Sequence, residues 1–334
     1  VPPVLLPPVV FVGLLLTLWF YKCCMMILFQ NKIIYMPSVP PFSRSEKIDD
    51  YKGACFGVDW EEVRIKSLDG TRISLCVGRE TASEQMGNGQ IERDGRRLVV
   101  LYLQGNASSL PPRLPGLSRV LREMTSVASK DGHPDPDTTI IALSYRGYWS
   151  SRGRASQKGI ILDAAAALSW IQSHHPNSKL VIWGQSIGAG VATTAAARYL
   201  QQSRSTPEVT RPLPISGLIL ETPFLSIRSM LATLYPEKWL PYRYLYPFLW
   251  NHWDSEKALR AIAEARSGKD IPILLVPAGK DEVVPPEQAD ILERLVKDLG
   301  FKVDRKDAKG ALHTEAMARG EGRKAVVGFL RQVA

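Results

Sequence analysis

The chain has 334 residues, 45% of them hydrophobic and 22% charged, with 25 Gly and 24 Pro spread along it, a composition that excludes disordered, collagen-like and disulfide-scaffold proteins. Its 4 cysteines match neither a disulfide framework nor the paired C-x-x-C spacing of a zinc site, and read as free thiols. The net charge of +9 comes from Lys and Arg scattered through both halves, with no basic block interleaved with aromatics. That pattern speaks against a nucleic-acid partner and for an anionic membrane surface.

From Val4 to Tyr21 the chain carries no charge, and after Lys22 the apolar run resumes to Phe29. A bilayer core needs about 20 apolar residues, so a helix over Val9–Phe29 is long enough to span, with Lys22 snorkelling from near its end. Pro7 and Pro8 suit the first turn of such a helix. The basic leader and small-residue cleavage site of a signal peptide are not visible, so the expectation is a retained membrane anchor over residues 1–30 with membrane lipid as its partner. Lys22, Lys32, Arg44, Lys47 and Lys52 follow the span and no charged side chain precedes it, which predicts that the rest of the chain is cytoplasmic. Cys23 and Cys24 are either S-acylated or simply thiols of the helix.

Residues 31–59 read as a connector, Pro-rich from Tyr35 to Pro41, and a chain beginning near Lys32 is expected to be soluble and active. Trp60–Ser67 and Thr71–Gly78 are alternating runs joined by Leu68-Asp69-Gly70, a hairpin signal. The polar stretch Arg79–Arg96 reads as an exposed insertion. Continuous apolar runs at Leu98–Leu103, Thr139–Leu143, Leu180–Trp183, Leu218–Leu220 and Ile271–Val276 predict buried strands, and Lys302–Asp304 a last one. Helical patterns at Leu114–Ser129, Gln157–His174, Ile187–Gln202, Pro286–Leu299 and Gly322–Val333 lie between and after them. Alternation of this kind predicts an α/β fold over residues 60–334: a mostly parallel sheet, helices on both faces, and chemistry at the carboxyl ends of the strands.

One motif stands at such an end. Leu180–Trp183 runs into Gly184-Gln185-Ser186-Ile187-Gly188, a G-x-S-x-G sequence followed by an Ala-rich helix, which is the setting of a nucleophile elbow. The glycines Gly184, Gly188 and Gly190 do not give the G-x-G-x-x-G spacing of a dinucleotide site, and no cofactor is expected. A serine hydroxyl needs a base to take its proton, and the base an acid to hold its tautomer, in the chain order Ser, acid, His. His313 follows the last strand and is the candidate base. His252 sits in an aromatic-rich segment, and His133, His174 and His175 precede the serine. Asp281 is the first candidate for the acid, with its neighbour Glu282 and the earlier strand-end Glu221 as rivals. Backbone N–H groups of Ile187 and Asn106 are the expected oxyanion donors, with Gly105 permitting the close turn. Asn106 also begins the only N-x-[ST] sequon of the chain, and a glycan there would block the site, which agrees with a cytoplasmic domain.

Taken together, these residues resemble the α/β-hydrolase superfamily, and within it the bud-emergence (Bem) group of membrane-anchored serine hydrolases. The carriers are Gln30-Asn-Lys-Ile-Ile-Tyr-Met-Pro37, Gln104-Gly-Asn-Ala107, Ser144-Tyr-Arg-Gly-Tyr148 with Gly153 and Asp163, the elbow at Ser186, and Asp281 and His313. The group has His where Gln104 stands. The resemblance implies an eight-stranded sheet and a cap inserted at about 222–270, a segment holding Phe224, Tyr235, Trp239, Tyr242, Tyr244, Tyr246, Phe248, Trp250 and Trp253. These rings are expected either to form an apolar acyl pocket or to be the cap's own core. The function expected is hydrolysis of a carboxylic ester or thioester of lipid or acyl-protein type. The alternative is a membrane-tethered scaffold that keeps the fold without useful turnover.

Overall fold

The computed structural model describes residues 2–80, 94–125, 136–205 and 212–334. A first helix, α1 (Leu6–Leu28), begins with Pro7 and Pro8 in its opening turn and has no buried residue. With the turn that precedes it, the segment Pro3–Leu28 is long and apolar enough to cross a membrane. Phe29 separates it from the short α2 (Gln30–Tyr35), both of whose end residues are buried. Turns lead on to β1 (Val58–Lys66) and β2 (Arg72–Glu80), the expected hairpin, closed around Gly70 at φ +82°.

There follow β3 (Asp94–Leu103), α3 (Leu114–Thr125), β4 (Pro136–Ser144), α4 (Gln157–His174), β5 (Lys179–Gln185), α5 (Ile187–Ser205), β6 (Ile215–Glu221), α6 (Ile227–Leu234), α7 (Ser255–Ala265), β7 (Ile273–Val276), α8 (Pro286–Asp298), β8 (Val303–Arg305) and α9 (Gly320–Val333). The expected insertion over Arg79–Arg96 is shorter at both ends than its polarity suggests: β2 runs to Glu80, and β3 starts at Asp94, which pairs with Pro136 across a register irregularity. Residues 81–93, the last residues of the helix expected to reach Ser129, and His133 lie outside the described residues.

The eight strands form one sheet in the order β1-β2-β4-β3-β5-β6-β7-β8. β1, β2 and β4 pair antiparallel and all later pairs are parallel. The two-residue period of β3 explains why its run is apolar throughout. Leu98, Val100 and Tyr102 pack on one face with α3 and α9, and Val99, Leu101 and Leu103 pack on the other with α4, α5, α7 and α8. Within the 222–270 stretch, α7 buries Ala258, Leu259, Ile262 and Ala265, and Leu259 and Ile262 belong to the same core as α5. The aromatic segment before it, from Phe224 to Trp250, contains α6 and two short 3-10 turns and lies over the carboxyl end of the sheet.

The residues after α1 do more than connect. The Tyr35 side chain is fully buried; its hydroxyl donates to Asn251 Oδ1 at 2.8 Å and accepts from Trp253 Nε1 at 2.9 Å. Its carbonyl accepts from Ala107 N and from the Tyr148 hydroxyl. Gln30 bonds Phe248 O, Trp250 N and Asn251 Nδ2, while Asn31 Oδ1 accepts from Asn251 Nδ2. A start at Lys32 therefore removes two residues that tie the cap to the domain. The expectation of an independent domain from Lys32 overlooked this because a polar side chain's partner more than two hundred residues away leaves no local pattern.

Candidate functional site

Gln185 closes β5 and Ile187 opens α5, so Ser186 occupies the turn between them, at φ +54°, a left-handed conformation that is uncommon for serine. The flanking glycines permit the turn. A Cβ on Gly184 would collide with the Gly188 carbonyl, and one on Gly188 with the Leu103 carbonyl. Ser186 N donates to Glu221 O at 2.8 Å, which fastens the elbow to β6.

Ser186 Oγ lies 2.8 Å from His313 Nε2, and His313 Nδ1 lies 2.9 Å from both oxygens of Asp281. The side chains of His313 and Asp281 are 6% and 5% exposed. Burial alone would push the Asp281 carboxyl up. The hydrogen bonds from His313 and from the backbone N–H groups of Val284 and Val283 outweigh it and hold the carboxyl below its ordinary range. Glu282, the neighbouring rival, accepts from the His313 backbone N–H at 2.9 Å and so holds the loop rather than the ring. Glu221 is wholly buried, accepting from Trp183 Nε1 at 3.0 Å and Gln185 Nε2 at 2.9 Å. Burial raises its carboxyl to about 7.

Asn106 and Ile187 line the same cavity as Ser186. The loop that carries Asn106 turns through positive φ at Ala107 and Ser108, and Ala107 N and Ser108 N donate to Tyr35 O and Val39 O. The Tyr145 hydroxyl donates to Gln104 O at 3.0 Å, so the segment around Tyr145 and Tyr148 braces this loop from below. Arg146 between them is itself fixed by Asp163 at 2.8 Å and Asp69 at 2.7 Å. The Gln104 side chain is completely buried with neither amide atom hydrogen-bonded. The chain therefore carries an unsatisfied amide here while the loop's backbone contacts remain.

The cavity above Ser186 has a volume of ≈ 290 Å³ and walls that are mostly aliphatic. Met26, Ile27, Ile33 and Ile34 form one side, so the end of the apolar helix and the residues after it wall the pocket. Met230, Leu231 and Leu249 form part of the cap side. Of the nine aromatic residues expected to build either the pocket or the cap core, Phe224, Tyr235 and Phe248 reach the cavity. Trp253 and Tyr242 are buried, while Trp239, Tyr244, Tyr246 and Trp250 are exposed. Neither expectation covers that last set.

His252 and His174 stand away from this cluster, and His174 bonds Trp170 O within its own helix. Among the described residues, no group of His, Cys, Asp and Glu is arranged to hold a metal ion. Two contributions escaped the sequence reading. One is the Gln30–Tyr35–Asn251 node. The other is the set of buried Tyr102 and Gln185 with half-buried Arg113, in which Gln185 Oε1 accepts from the other two directly beside the nucleophile turn. The motif Gln30-Asn-Lys-Ile-Ile-Tyr35 marked the first; nothing marked the second.

A family model described as alpha/beta hydrolase fold matches residues 114–263. Solved structures agree on the fold: an alpha-beta hydrolase from Vibrio vulnificus superposes with a TM-score of 0.59 at 20% identity, covering 90% of this chain and 92% of that one. A Pyrococcus furiosus esterase gives 0.55 at 19% identity, covering 84% and 92%. The chain has the α/β-hydrolase fold. Among curated proteins it is 28% identical over 266 residues to protein bem46 of Schizosaccharomyces pombe, covering 79% of this chain and 74% of that protein. It is 27% identical over 272 residues to the α/β hydrolase domain-containing protein WAV2 of Arabidopsis thaliana, covering 78% and 74%. With the lysophosphatidylserine lipase ABHD12 of Danio rerio it shares 33% identity over 190 residues, which is 56% of this chain and 44% of that protein. Its similarities among curated proteins thus fall within the Bem46/ABHD group of α/β hydrolases.

Proposed function

We propose that the protein is a membrane-anchored serine hydrolase that cleaves carboxylic ester or thioester bonds of lipid or acyl-protein type. The observation that carries this reading is the unbroken line from Ser186 Oγ through His313 to Asp281, with contacts of 2.8 and 2.9 Å. Ser186 Oγ attacks the acyl carbon as His313 Nε2 takes its proton, and the carbonyl electron pair moves onto oxygen between the N–H groups of Ile187 and Asn106. Collapse breaks the bond to the leaving alcohol or thiol, which receives the proton from His313 and departs. Water then attacks the acyl-Ser186 ester in the same way, releasing the acid and restoring the serine. Asp281 keeps the proton on Nδ1, leaving Nε2 free to act as base, and stabilises the imidazolium between steps.

An aliphatic cavity supports an acyl substrate, and the lipase name of a relative points in the same direction. Helix α1 is the anchor. The basic residues after it favour a cytoplasmic domain, and the position of Asn106 on the cavity wall leaves no room for a glycan in a working site. The test is labelling with a fluorophosphonate probe. The full chain in detergent should label, and Ser186→Ala should not. Labelling of Ser186→Ala at the parent rate, or none in the parent, refutes the reading.

A further inference from the structure

Helix α1 is apolar all round but for Lys22, yet its last turns are not free to sit in lipid on every side. The Trp19 ring lies 5.7 Å from that of Trp239, Lys22 Nζ sits 4.4 Å above the Tyr242 ring, and Met26 Sδ meets the Tyr235 hydroxyl at 3.9 Å. The cap thus runs alongside the helix from Trp19 onward. From Trp19 to Met26 is roughly 10 Å of helix at 1.5 Å per residue, a third of the roughly 30 Å of a hydrocarbon core. With α1 as a span, the flank of the cap that meets its last turns lies at the depth of the bilayer together with them.

The side chains on that part of the molecule suit immersion. Leu234, Trp239, Tyr244, Phe248 and Trp250 are each more than half exposed, an apolar and aromatic set of the kind that gathers at bilayer interfaces. The charges among them are chiefly positive. Arg228 lies 4.2 Å over the Tyr246 ring, Lys22 caps Tyr242, and Lys238 and Arg243 are set against the single acid Glu237. Cations beside interfacial rings match anionic headgroups. The cavity opens on the same flank, because Ile33, Leu234 and Phe248 line it and are also 51%, 59% and 56% exposed.

We infer that this flank of the cap is a membrane-embedded face: the leaflet in which α1 ends covers Trp239, Tyr244 and Trp250. The rim of Ile33, Leu234 and Phe248 opens the Ser186 cavity into that leaflet, so that the acyl chain of a bilayer-resident ester enters sideways without passing through water. This rests on the proposed function, for which α1 is a span and Ser186 the nucleophile. It adds the route of entry and the class of substrate, a long-chain acyl ester held in the bilayer.

The test uses the full chain in nanodiscs of phosphatidylcholine and phosphatidylglycerol, with and without lipids brominated in their acyl chains. In a Trp19→Phe background the bromolipid should quench tryptophan emission, and adding Trp239→Phe and Trp250→Phe should reduce that quenching at least threefold. Quenching that is absent in the background, or unchanged by the two substitutions, overturns the inference. So does a cross-linked dimer through this face without quenching, which would put a second copy there. In parallel, Trp239→Ser with Trp250→Ser should lower hydrolysis of a long-chain acyl ester in the nanodisc at least tenfold and leave a soluble butyrate ester within twofold. Equal losses on both substrates, or none on the lipid, also refute it. Failure of the fluorophosphonate probe to label Ser186 breaks the hydrolase reading instead, and the quenching measurement, which needs no turnover, separates the two failures.

Discussion

Replacing Asn251 by leucine should cost the protein about 4 kcal/mol. The side chain is 1% exposed, and its Oδ1 accepts from the Tyr35 hydroxyl and from Gln157 N, each at 2.8 Å. Leucine removes that acceptor while the Tyr35 hydroxyl and the first N–H of α4 stay where they are. An orphaned buried donor costs about 1–3 kcal/mol; the fully buried Tyr35 hydroxyl stands at the upper end and the half-buried Gln157 N at the lower, so the pair gives about 4. The links from Nδ2 to Asn31 and Gln30 are lost as well. At roughly 2 °C per kcal/mol for a chain of this size, the melting temperature in nanodiscs should fall by about 8 °C. Because Tyr35 O holds Ala107 N in the loop of Asn106, turnover of a short ester should fall as well, while fluorophosphonate labelling of the folded fraction persists. A melting temperature within about 2 °C of the parent would refute the account, since a buried hydroxyl and a half-buried N–H cannot both lose their acceptor at so small a cost.

Asp281→Asn keeps an acceptor for Val283 N and Val284 N but presents an amide N–H to His313 Nδ1, forcing the wrong tautomer; turnover should drop on the order of 10⁴ with little change in melting. A loss below about tenfold would move the acid elsewhere. Glu221 is raised from 4.5 to about 7, first by burial, so between those values the folded state holds a proton that the unfolded state has released. Stability is greatest below pH 4.5 on this account and declines by about 3 kcal/mol as pH rises past 7. Denaturant titrations from pH 5 to 8 should show that decline, and Glu221→Gln should flatten it. A chain beginning at Phe29 keeps Gln30 and Asn31, whereas one beginning at Lys32 loses their bonds to Phe248, Trp250 and Asn251. Compared in detergent, the second should turn over a short ester at least tenfold more slowly, and equal rates would show that the node does not support the site.

What the amino-acid sequence determines by itself is what short-range physics encodes. Apolar runs of strand length, helical periodicity between them and a glycine-flanked serine at a strand end are local patterns, and the sheet, its covering helices and the turn at Ser186 follow from them. Asp281 and His313 were legible as candidates through chain order, and the structure brings both to Ser186. Choosing between Asp281, Glu282 and Glu221 was not a local matter, since three carboxylates at or after strand ends differ chiefly in what folding places beside them: a histidine ring, a histidine backbone N–H, and a buried tryptophan with a glutamine. Partners far apart in the chain were equally hidden. Tyr35 meets Asn251 across 216 residues, and no periodicity records a bond of that kind. The aromatic residues of the cap show the same limit from the other side. Composition announces that rings such as Trp239 and Trp250 are apolar, but only the position of α1 along the cap decides that they face outward beside that apolar helix, leaving aliphatic side chains to wall the cavity.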